Sequence, residues 1–190
     1  QIHWPDPDTA IEDTFLAMEK LKKSGKIRCI GCCNFPRDLL KEALKYAEVK
    51  SVQIPYNLID REVEQDLLPF CRDSGIAVLA YSPIARGLLS GKYGEDIKFV
   101  WDDHRSRSGD EYFSSEVLPR NLKVVDKVKL VAEKLNKTPT QIALRWVLEN
   151  PCVTTALFGA KTVAQVEENV VVADFALPKE DAELLGGKVT

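Results

Sequence analysis

The sequence has 190 residues, 45% of them hydrophobic, and a formal net charge of −3. This length suits one domain with an ordinary core, and we expect a single domain over residues 1–190. The charge and the lack of a basic run argue against nucleic acid as a partner. No apolar run approaches the roughly 20 residues that span a bilayer. Without a signal-peptide pattern, we expect no membrane partner and a cytoplasmic protein.

The five cysteines are Cys29, Cys32, Cys33, Cys71 and Cys152. Their number is odd and three of them fall in one strand-like segment, which argues against a disulfide framework. No nearby histidine or second cysteine pair completes a zinc set, so no metal site is predicted. We expect buried thiols.

Short apolar segments alternate with amphipathic ones along the chain. Apolar residues recur at helical spacing in several segments, and we expect helices over 9–24, 39–47, 62–73, 121–135, 138–149, 162–172 and 178–185. Strands are expected over 1–3, 27–33, 51–54, 76–81 and 153–158, covered on both faces. Thr138-Pro139 predicts the cap of one helix. Residues 82–119 have no clear period and are expected to form a long loop, which in a compact domain is usually a functional lid or a disordered insertion.

This alternation predicts a parallel sheet, either open and doubly wound or part of a (β/α)₈ barrel. Both architectures bind ligands at the carboxyl ends of their strands. Composition does not separate them, although the Gly-x-Gly-x-x-Gly turn of many dinucleotide-binding open sheets is absent from the sequence.

Polar and aromatic residues follow the predicted strands and should converge on one face. Asn34 and Gln53 each carry a donor and an acceptor, which suits a carboxamide, and Tyr81 could stack on a ring. Each also has a structural interpretation: Asn34 as a turn former, Gln53 as a polar group at the sheet edge, and Tyr81 as a core residue. His3, between a strand and a proline-stiffened loop, is a candidate catalytic residue or a hydrogen-bonded structural one.

Two later segments suit anions. Residues 82–92 combine a hydroxyl, glycines and cations, and the turn from Gly159 to Lys161 leads directly into a helix. Gln165 and Asn169, one helical turn apart, should share a face looking back toward that turn. A solvated loop and an ordinary short turn are the alternatives.

Five segments in order resemble the aldo-keto reductases. They are Ile2-His3-Trp4-Pro5, Ile30-Gly31-Cys32-Cys33-Asn34-Phe35, Val52-Gln53-Ile54-Pro55-Tyr56-Asn57, Ala80-Tyr81-Ser82-Pro83 continuing to Gly91-Lys92, and Gly159-Ala160-Lys161 continuing to Gln165 and Glu168-Asn169. The resemblance covers essentially the whole chain. It implies a (β/α)₈ TIM-barrel type of fold, here a partial barrel of about five βα units, namely strands four to eight. It also implies reduction of aldehydes or ketones to alcohols with NADPH, or with NADH as the alternative.

Site roles follow from the resemblance. His3 would orient and polarise the carbonyl of a small-molecule substrate, and Trp4 would line the substrate pocket. Residues implied to bind the cofactor are Cys33, Asn34, Gln53, Tyr81, Ser82, Pro83, Ile84, Gly87, Leu88, Gly159, Ala160, Lys161, Gln165, Glu168 and Asn169. Cys33, Asn34 and Gln53 would hold the nicotinamide carboxamide, and Tyr81 would stack on its ring. The remaining residues would contact the pyrophosphate and the adenosine.

The chain departs from the family pattern at several places. Cys33 stands where serine is usual, Phe158 where proline is common, and neutral Gln165 where an arginine is usual. The family's tyrosine, lysine and aspartate precede the histidine strand and have no match here, so we expect a truncated enzyme that is inactive alone. One alternative is a module without catalysis that binds cofactor or another subunit and self-associates through exposed barrel edges. The other is a fragment that binds nothing.

Overall fold

Four parallel strands form the centre of the computed structural model, which describes residues 1–103, 105 and 112–186. The strands are β1 (Ile30–Cys33), β2 (Val49–Pro55), β3 (Ala77–Tyr81) and β4 (Thr155–Leu157). They lie in the order β1-β2-β3-β4, so each strand pairs with its neighbour in sequence. A doubly wound sheet reverses its strand order, whereas a barrel does not. The sequential order therefore decides for the barrel type, as a partial barrel.

The predicted strand at the start of the chain is only a single bridge. Ile2 pairs in parallel with Cys32 of β1. Its N–H donates to the Gly31 carbonyl at 3.0 Å, and its carbonyl accepts from Cys33 N–H at 2.7 Å. Pairing ends there because Pro5 and Pro7 lack the N–H that would continue the ladder. The bridge still extends the parallel order by one position.

Seven helices are described, close to the predicted segments. They are α1 (Ile11–Lys23), α2 (Arg37–Ala43), α3 (Leu67–Asp73), α4 (Leu118–Leu135), α5 (Pro139–Glu149), α6 (Val163–Val170) and α7 (Lys179–Leu184). Short 3₁₀ helices span Glu62–Glu64, Ala85–Ser90 and Val171–Asp174. The expected loop over 82–119 thus contains a 3₁₀ helix and the first two residues of α4. Part of that loop, residues 104 and 106–111, lies outside the described residues.

Thr138 caps helix α5 as the sequence predicts. Its hydroxyl accepts from the Gln141 N–H, and the Gln141 side chain accepts from the Thr138 N–H, which completes a capping box. Pro139 occupies the first helical turn, where its missing N–H is not needed. The start of α5 contacts Glu168 of α6.

One face of the sheet packs against helices. Val52 and Ile54 of β2 and Val78 of β3 are at most 2% exposed. They belong to the same core as Phe15 of α1 and Leu40 of α2. The helices therefore cover the side of the sheet to which these residues point.

The opposite face is only half-buried, which differs from the expectation that both faces are covered. Ser51 and Gln53 of β2, Leu79 and Tyr81 of β3, and Thr155 of β4 all have intermediate exposure. The register places Gln53 beside Leu79 and Leu79 beside Thr155, so these side chains share this face. In a (β/α)₈ barrel this face points to the interior of the barrel, and it is fully covered only when all eight strands are present.

The cysteines are all free, and three are buried as expected. Cys32, Cys33 and Cys71 are buried, Cys152 is partly buried, and Cys29 is exposed. The prediction is wrong for Cys29 because β1 begins only at residue 30. Burial raises the pKa of both Cys32 and Cys71 to about 12.

A search of the described helices for a membrane-spanning segment finds none of sufficient length and apolar character.

Candidate active site

Asn34 connects three segments at the carboxyl end of the sheet. Its backbone is left-handed, with φ 61°, a region that asparagine tolerates better than most residues. Its Nδ2 donates to the His3 carbonyl at 3.1 Å, and its Oδ1 accepts from the Tyr81 hydroxyl at 2.8 Å. The end of β1 is thereby tied to the histidine segment and to the end of β3.

A carboxamide of the chain itself occupies the place predicted to hold one. The Gln1 Oε1 accepts from Gln53 Nε2 at 3.2 Å and from the Cys33 thiol at 3.3 Å. Its Nε2 donates to the Ser51 hydroxyl at 3.1 Å. Cys33 and Gln53 are register partners on adjacent strands, so their side chains reach one point.

The Cys33 thiol acts as a neutral donor. Burial raises its pKa. A thiol is a weaker donor than the hydroxyl that the family pattern has at this position. The hydrogen bond to a carboxamide oxygen is therefore retained in a weaker form.

His3 and Trp4 are both exposed, with Trp4 at 60%. Their ring centroids are 6.1 Å apart, and the rings are tilted by 52°. The two side chains thus remain accessible beside the segment that Asn34 ties down. Their predicted roles in substrate binding stay predictions.

The turn after β3 is strongly bent. Ser82, Ala85, Arg86 and Gly87 have φ between 47° and 96°. The amides of Ala85 and Gly87 donate within the turn, to Ser82 and Ile84 carbonyls. Because those amides are used internally, side chains rather than these two N–H groups would serve a ligand here.

A cavity of about 540 Å³ lies between this turn and the β4–α6 junction. Nine of the predicted cofactor-binding residues line it, namely Ser82, Pro83, Ile84, Gly87, Gly159, Lys161, Gln165, Glu168 and Asn169. Ala160 is exposed in the same turn but is not part of the lining, and Leu88 is fully buried in the core. The structure therefore brings most of this set together.

Among the residues that the structure describes, four cationic side chains line the same cavity, against one acidic side chain, Glu168. The cations are Arg86, Lys92, Arg105 and Lys161. This excess of positive charge makes the cavity suited to phosphate groups.

Arg105 was missed by sequence reasoning, although its aromatic surroundings offered a signal. Its guanidinium lies over Phe99 at 4.4 Å and over Tyr93 at 5.5 Å from the ring centroids. Asp103 forms a salt bridge with it, and hydrogen bonding to Asp103 raises its pKa. These contacts fix the side chain at the cavity wall. Thr140 of α5, also missed, lines the cavity as well.

The α6 side of the cavity is fixed by the α5 cap. The Thr138 hydroxyl donates to Glu168 Oε1 at 2.7 Å, and Gln141 Nε2 donates to the Glu168 carbonyl at 2.8 Å. Gln165 Oε1 accepts from Lys161 N–H at 2.7 Å. Asn169 is buried, with 5% of its surface exposed, whereas Gln165 is exposed. The helix face that they share therefore runs from the surface into the interior.

The fold and these motifs are those of the aldo/keto reductases. A family model described as the Aldo/keto reductase family matches residues 1–189. The chain belongs to this family.

Relatives agree with this assignment. The chain is 36% identical over 182 residues to aldo-keto reductase YhdN of Bacillus subtilis (strain 168), covering 95% of this chain and 54% of the relative. It is 33% identical over 186 residues to the NADH-specific methylglyoxal reductase of Escherichia coli (strain K12), covering 96% and 56%. The chain thus spans about half the length of these curated relatives.

A solved structure gives the same picture. The glycerol dehydrogenase AKR11B4 from Gluconobacter oxydans superposes with a TM-score of 0.89 at 35% identity, covering 98% of this chain and 56% of that chain. A thermostable aldo-keto reductase, Tm1743, has a TM-score of 0.75 at 30% identity, covering 97% and 57%. The predicted family and partial-barrel fold are confirmed.

Proposed function

We propose that this chain binds a nicotinamide dinucleotide and forms the cofactor-binding part of an oxidoreductase that reduces aldehydes or ketones to alcohols. The observation that carries the proposal is the carboxamide of Gln1 between Cys33 and Gln53. Nicotinamide carries the same chemical group, so the donors of this site fit it. Gln1 would have to leave for the cofactor to enter.

The cavity of about 540 Å³ would hold the phosphates and the adenosine of the dinucleotide. The pyrophosphate diester brings about two negative charges at neutral pH and the 2′-phosphate monoester close to two more, about four together. Arg86, Lys92, Arg105 and Lys161 supply four positive charges. Since Asp103 neutralises part of Arg105, the balance is close.

The residues at the strand ends would then act on substrate and cofactor as follows. A reduced nicotinamide supplies a hydride when it is bound. Tyr81, held through its hydroxyl by Asn34, would present its ring to one face of the nicotinamide and fix the other face toward the substrate. His3 would donate a hydrogen bond to the carbonyl oxygen of the substrate, with Trp4 beside it.

We propose NADPH rather than NADH as the preferred cofactor. Support comes from the cations of the cavity and from Lys161 at its exposed rim. One relative is described as NADH-specific, which weighs on the other side. If Lys161 pairs with the 2′-phosphate, Lys161→Met should raise the dissociation constant of NADPH and leave that of NADH unchanged.

We further propose that the 190 residues bind cofactor without turning over substrate, because the family's proton-donating tyrosine has no counterpart among them. The purified chain should not oxidise NADPH with a simple aldehyde. Turnover at rates usual for the family would contradict this. A non-catalytic cofactor-binding module is the second candidate.

The carboxamide site is tested with a cofactor fragment. Reduced nicotinamide mononucleotide should displace Gln1, which NMR would detect as shifts of the Gln1 and Gln53 side-chain amide signals. Gln53→Leu should abolish the shift of the remaining Gln1 signal, whereas Lys50→Leu, on the same strand but exposed, should leave both shifts unchanged. Unchanged signals at saturating fragment would contradict the assignment of this site.

A further inference from the structure

Asn57 is a fully buried polar residue that lies outside the predicted site. It is 0% exposed and follows β2 in the loop toward the Glu62–Glu64 turn. Its Oδ1 accepts from Ile59 N–H at 2.8 Å and from Asp60 N–H at 2.9 Å. These two bonds orient the side chain so that its Nδ2 points away from its own loop.

The Nδ2 group of Asn57 connects its loop with two other segments. It lies 3.1 Å from the Ser82 carbonyl, 3.2 Å from the Tyr112 hydroxyl and 3.2 Å from Asp60 Oδ2. The Tyr112 hydroxyl also donates to Asp60 Oδ2. Three side chains and one carbonyl therefore form a single buried polar network, in which the two amide hydrogens are shared among three acceptors.

The first connection holds the strained turn after β3. Ser82 has a left-handed backbone with φ 52°. Its carbonyl accepts from Ala85 N–H at 2.9 Å as well as from Asn57 Nδ2. A non-glycine residue in this region needs surrounding structure to hold it there. Asn57 provides such a contact at the residue where the cavity wall begins.

The second connection holds a cation of the cavity. The Arg86 guanidinium lies 5.9 Å from the centroid of the Tyr112 ring. The next residue, Phe113, packs edge-to-face on Tyr93 and Phe99, the two rings that carry Arg105. The position of the Tyr112 hydroxyl therefore bears on both arginines of the cavity wall.

We propose that Asn57, with Asp60 and Tyr112, is a positioning group that fixes the Ser82 turn and Arg86 in the geometry that binds the phosphates of the cofactor. The inference rests on the proposed function and names residues that act through others rather than touching the ligand. Asparagine is required because its amide accepts from one loop and donates to another.

Two substitutions separate the parts of the network. Asn57→Asp keeps the shape and the acceptor oxygen but removes the donors to Ser82 and Tyr112. NADPH affinity should fall by about tenfold or more, since two buried hydrogen bonds that hold the Ser82 turn and Tyr112 are lost. Tyr112→Phe keeps the ring under Arg86 and the Asn57–Ser82 bond, so its loss of affinity should be smaller, roughly threefold.

Tyr56→Phe is the matched control. It also removes one buried tyrosine hydroxyl, one residue from Asn57, but that hydroxyl bonds Glu64 at 2.8 Å and Asn150 at 2.9 Å, away from the cavity lining. Its NADPH dissociation constant should stay within about twofold of the original protein. Urea unfolding of each variant gives the conditions under which it is fully folded. Affinity is compared only under those conditions, so a loss of affinity is not caused by unfolding.

Hydrogen exchange gives a readout that does not need the cofactor. The amides of Ala85, Gly87 and Leu89 are bonded inside the turn. In Asn57→Asp they should exchange faster while amides of β2 and β3 do not. In Tyr112→Phe, which folds more readily, exchange should rise mainly in residues 92–103.

The outcomes are distinct. Local acceleration with weaker NADPH binding supports the proposal. A folded Asn57→Asp with unchanged affinity and exchange, or a Tyr56→Phe that matches Tyr112→Phe, overturns it. If the original chain binds no NADPH, the proposed function fails, and the exchange measurement alone decides whether the network holds the turn.

Discussion

Asn34 shows how one residue serves both backbone and site. Its left-handed φ of 61° ends β1, and its side chain bonds His3 and Tyr81. The first property belongs to the fold, and the second belongs to the proposed nicotinamide site. Substitutions can separate them because glycine satisfies only the backbone.

Asn34→Ala and Asn34→Gly should therefore differ in stability but not in cofactor binding. Alanine in the left-handed region is strained by roughly 1–2 kcal/mol, which glycine avoids. Glycine is also more flexible in the unfolded chain, which offsets part of this difference. The free energy of unfolding of Asn34→Ala should therefore be about 1 kcal/mol lower than that of Asn34→Gly. Urea titration measures the difference. Equal stabilities, or the reverse order, would contradict a strained position.

Two buried thiols predict a pH dependence of stability. Burial raises the pKa of Cys32 and Cys71 from 9.0 to about 12. Below pH 9 both states keep these protons, so the thiols contribute no slope. Above pH 9 the unfolded chain loses them and the folded chain does not, so stability falls with rising pH until about pH 12.

Each of these thiols should lower the free energy of unfolding by about 1.4 kcal/mol per pH unit within that window. Urea titrations at pH 9.5 and 10.5 measure the slope. Cys32→Ala should reduce it, and Cys29→Ser, at an exposed position, should leave it unchanged. An unchanged slope in Cys32→Ala would mean that the thiol is ionised in the fold.

At the scale of elements, the junction of α5 and α6 joins helix capping to the cavity. Thr138 caps α5 through its hydroxyl and also donates to Glu168, which lines the cavity. The stability of the helix and the position of a cavity residue therefore depend on one side chain.

Thr138→Ala should lower the free energy of unfolding by about 1 kcal/mol, the usual effect of losing an N-cap hydroxyl. Thr138→Ser keeps the hydroxyl and should stay close to the original stability. Thermal or urea unfolding compares the two. A Thr138→Ser variant as unstable as Thr138→Ala would assign the effect to the lost methyl group.

Much of this element order is predictable from sequence because each helix carries its own period and each strand its own apolar run. Gln53 was also predictable as a carboxamide donor, since it lies near the carboxyl end of a predicted strand and parallel strands end together, whereas the same role for Cys33 came from the family resemblance. Asn57 was not predictable, because its role depends on a contact with Ser82, which is distant in sequence. Arg105 is close in sequence to Phe99, so the aromatic residues near it were a signal, but the sequence does not encode the stacking that places its guanidinium at the cavity.

In the molecule as a whole, the half-buried sheet face is the main feature. Gln53, Leu79, Tyr81 and Thr155 lie on it at intermediate exposure. A partly exposed face that carries Leu79 and Tyr81, next to the edge strand β4, favours association. We propose that the chain self-associates through this face, and sedimentation velocity should show its mass rising with concentration. Leu79→Lys should shift the distribution toward monomer. A concentration-independent monomer would contradict the proposal.

Calorimetric titration with NADPH shows whether these 190 residues hold a nicotinamide dinucleotide. We expect one saturable site per chain, weakened by Gln53→Leu at the carboxamide end and by Lys161→Met at the cavity rim, with Lys50→Leu as an unaffected control. A chain that is folded by circular dichroism but takes up no NADPH, or binds it equally well in all three variants, would contradict the account.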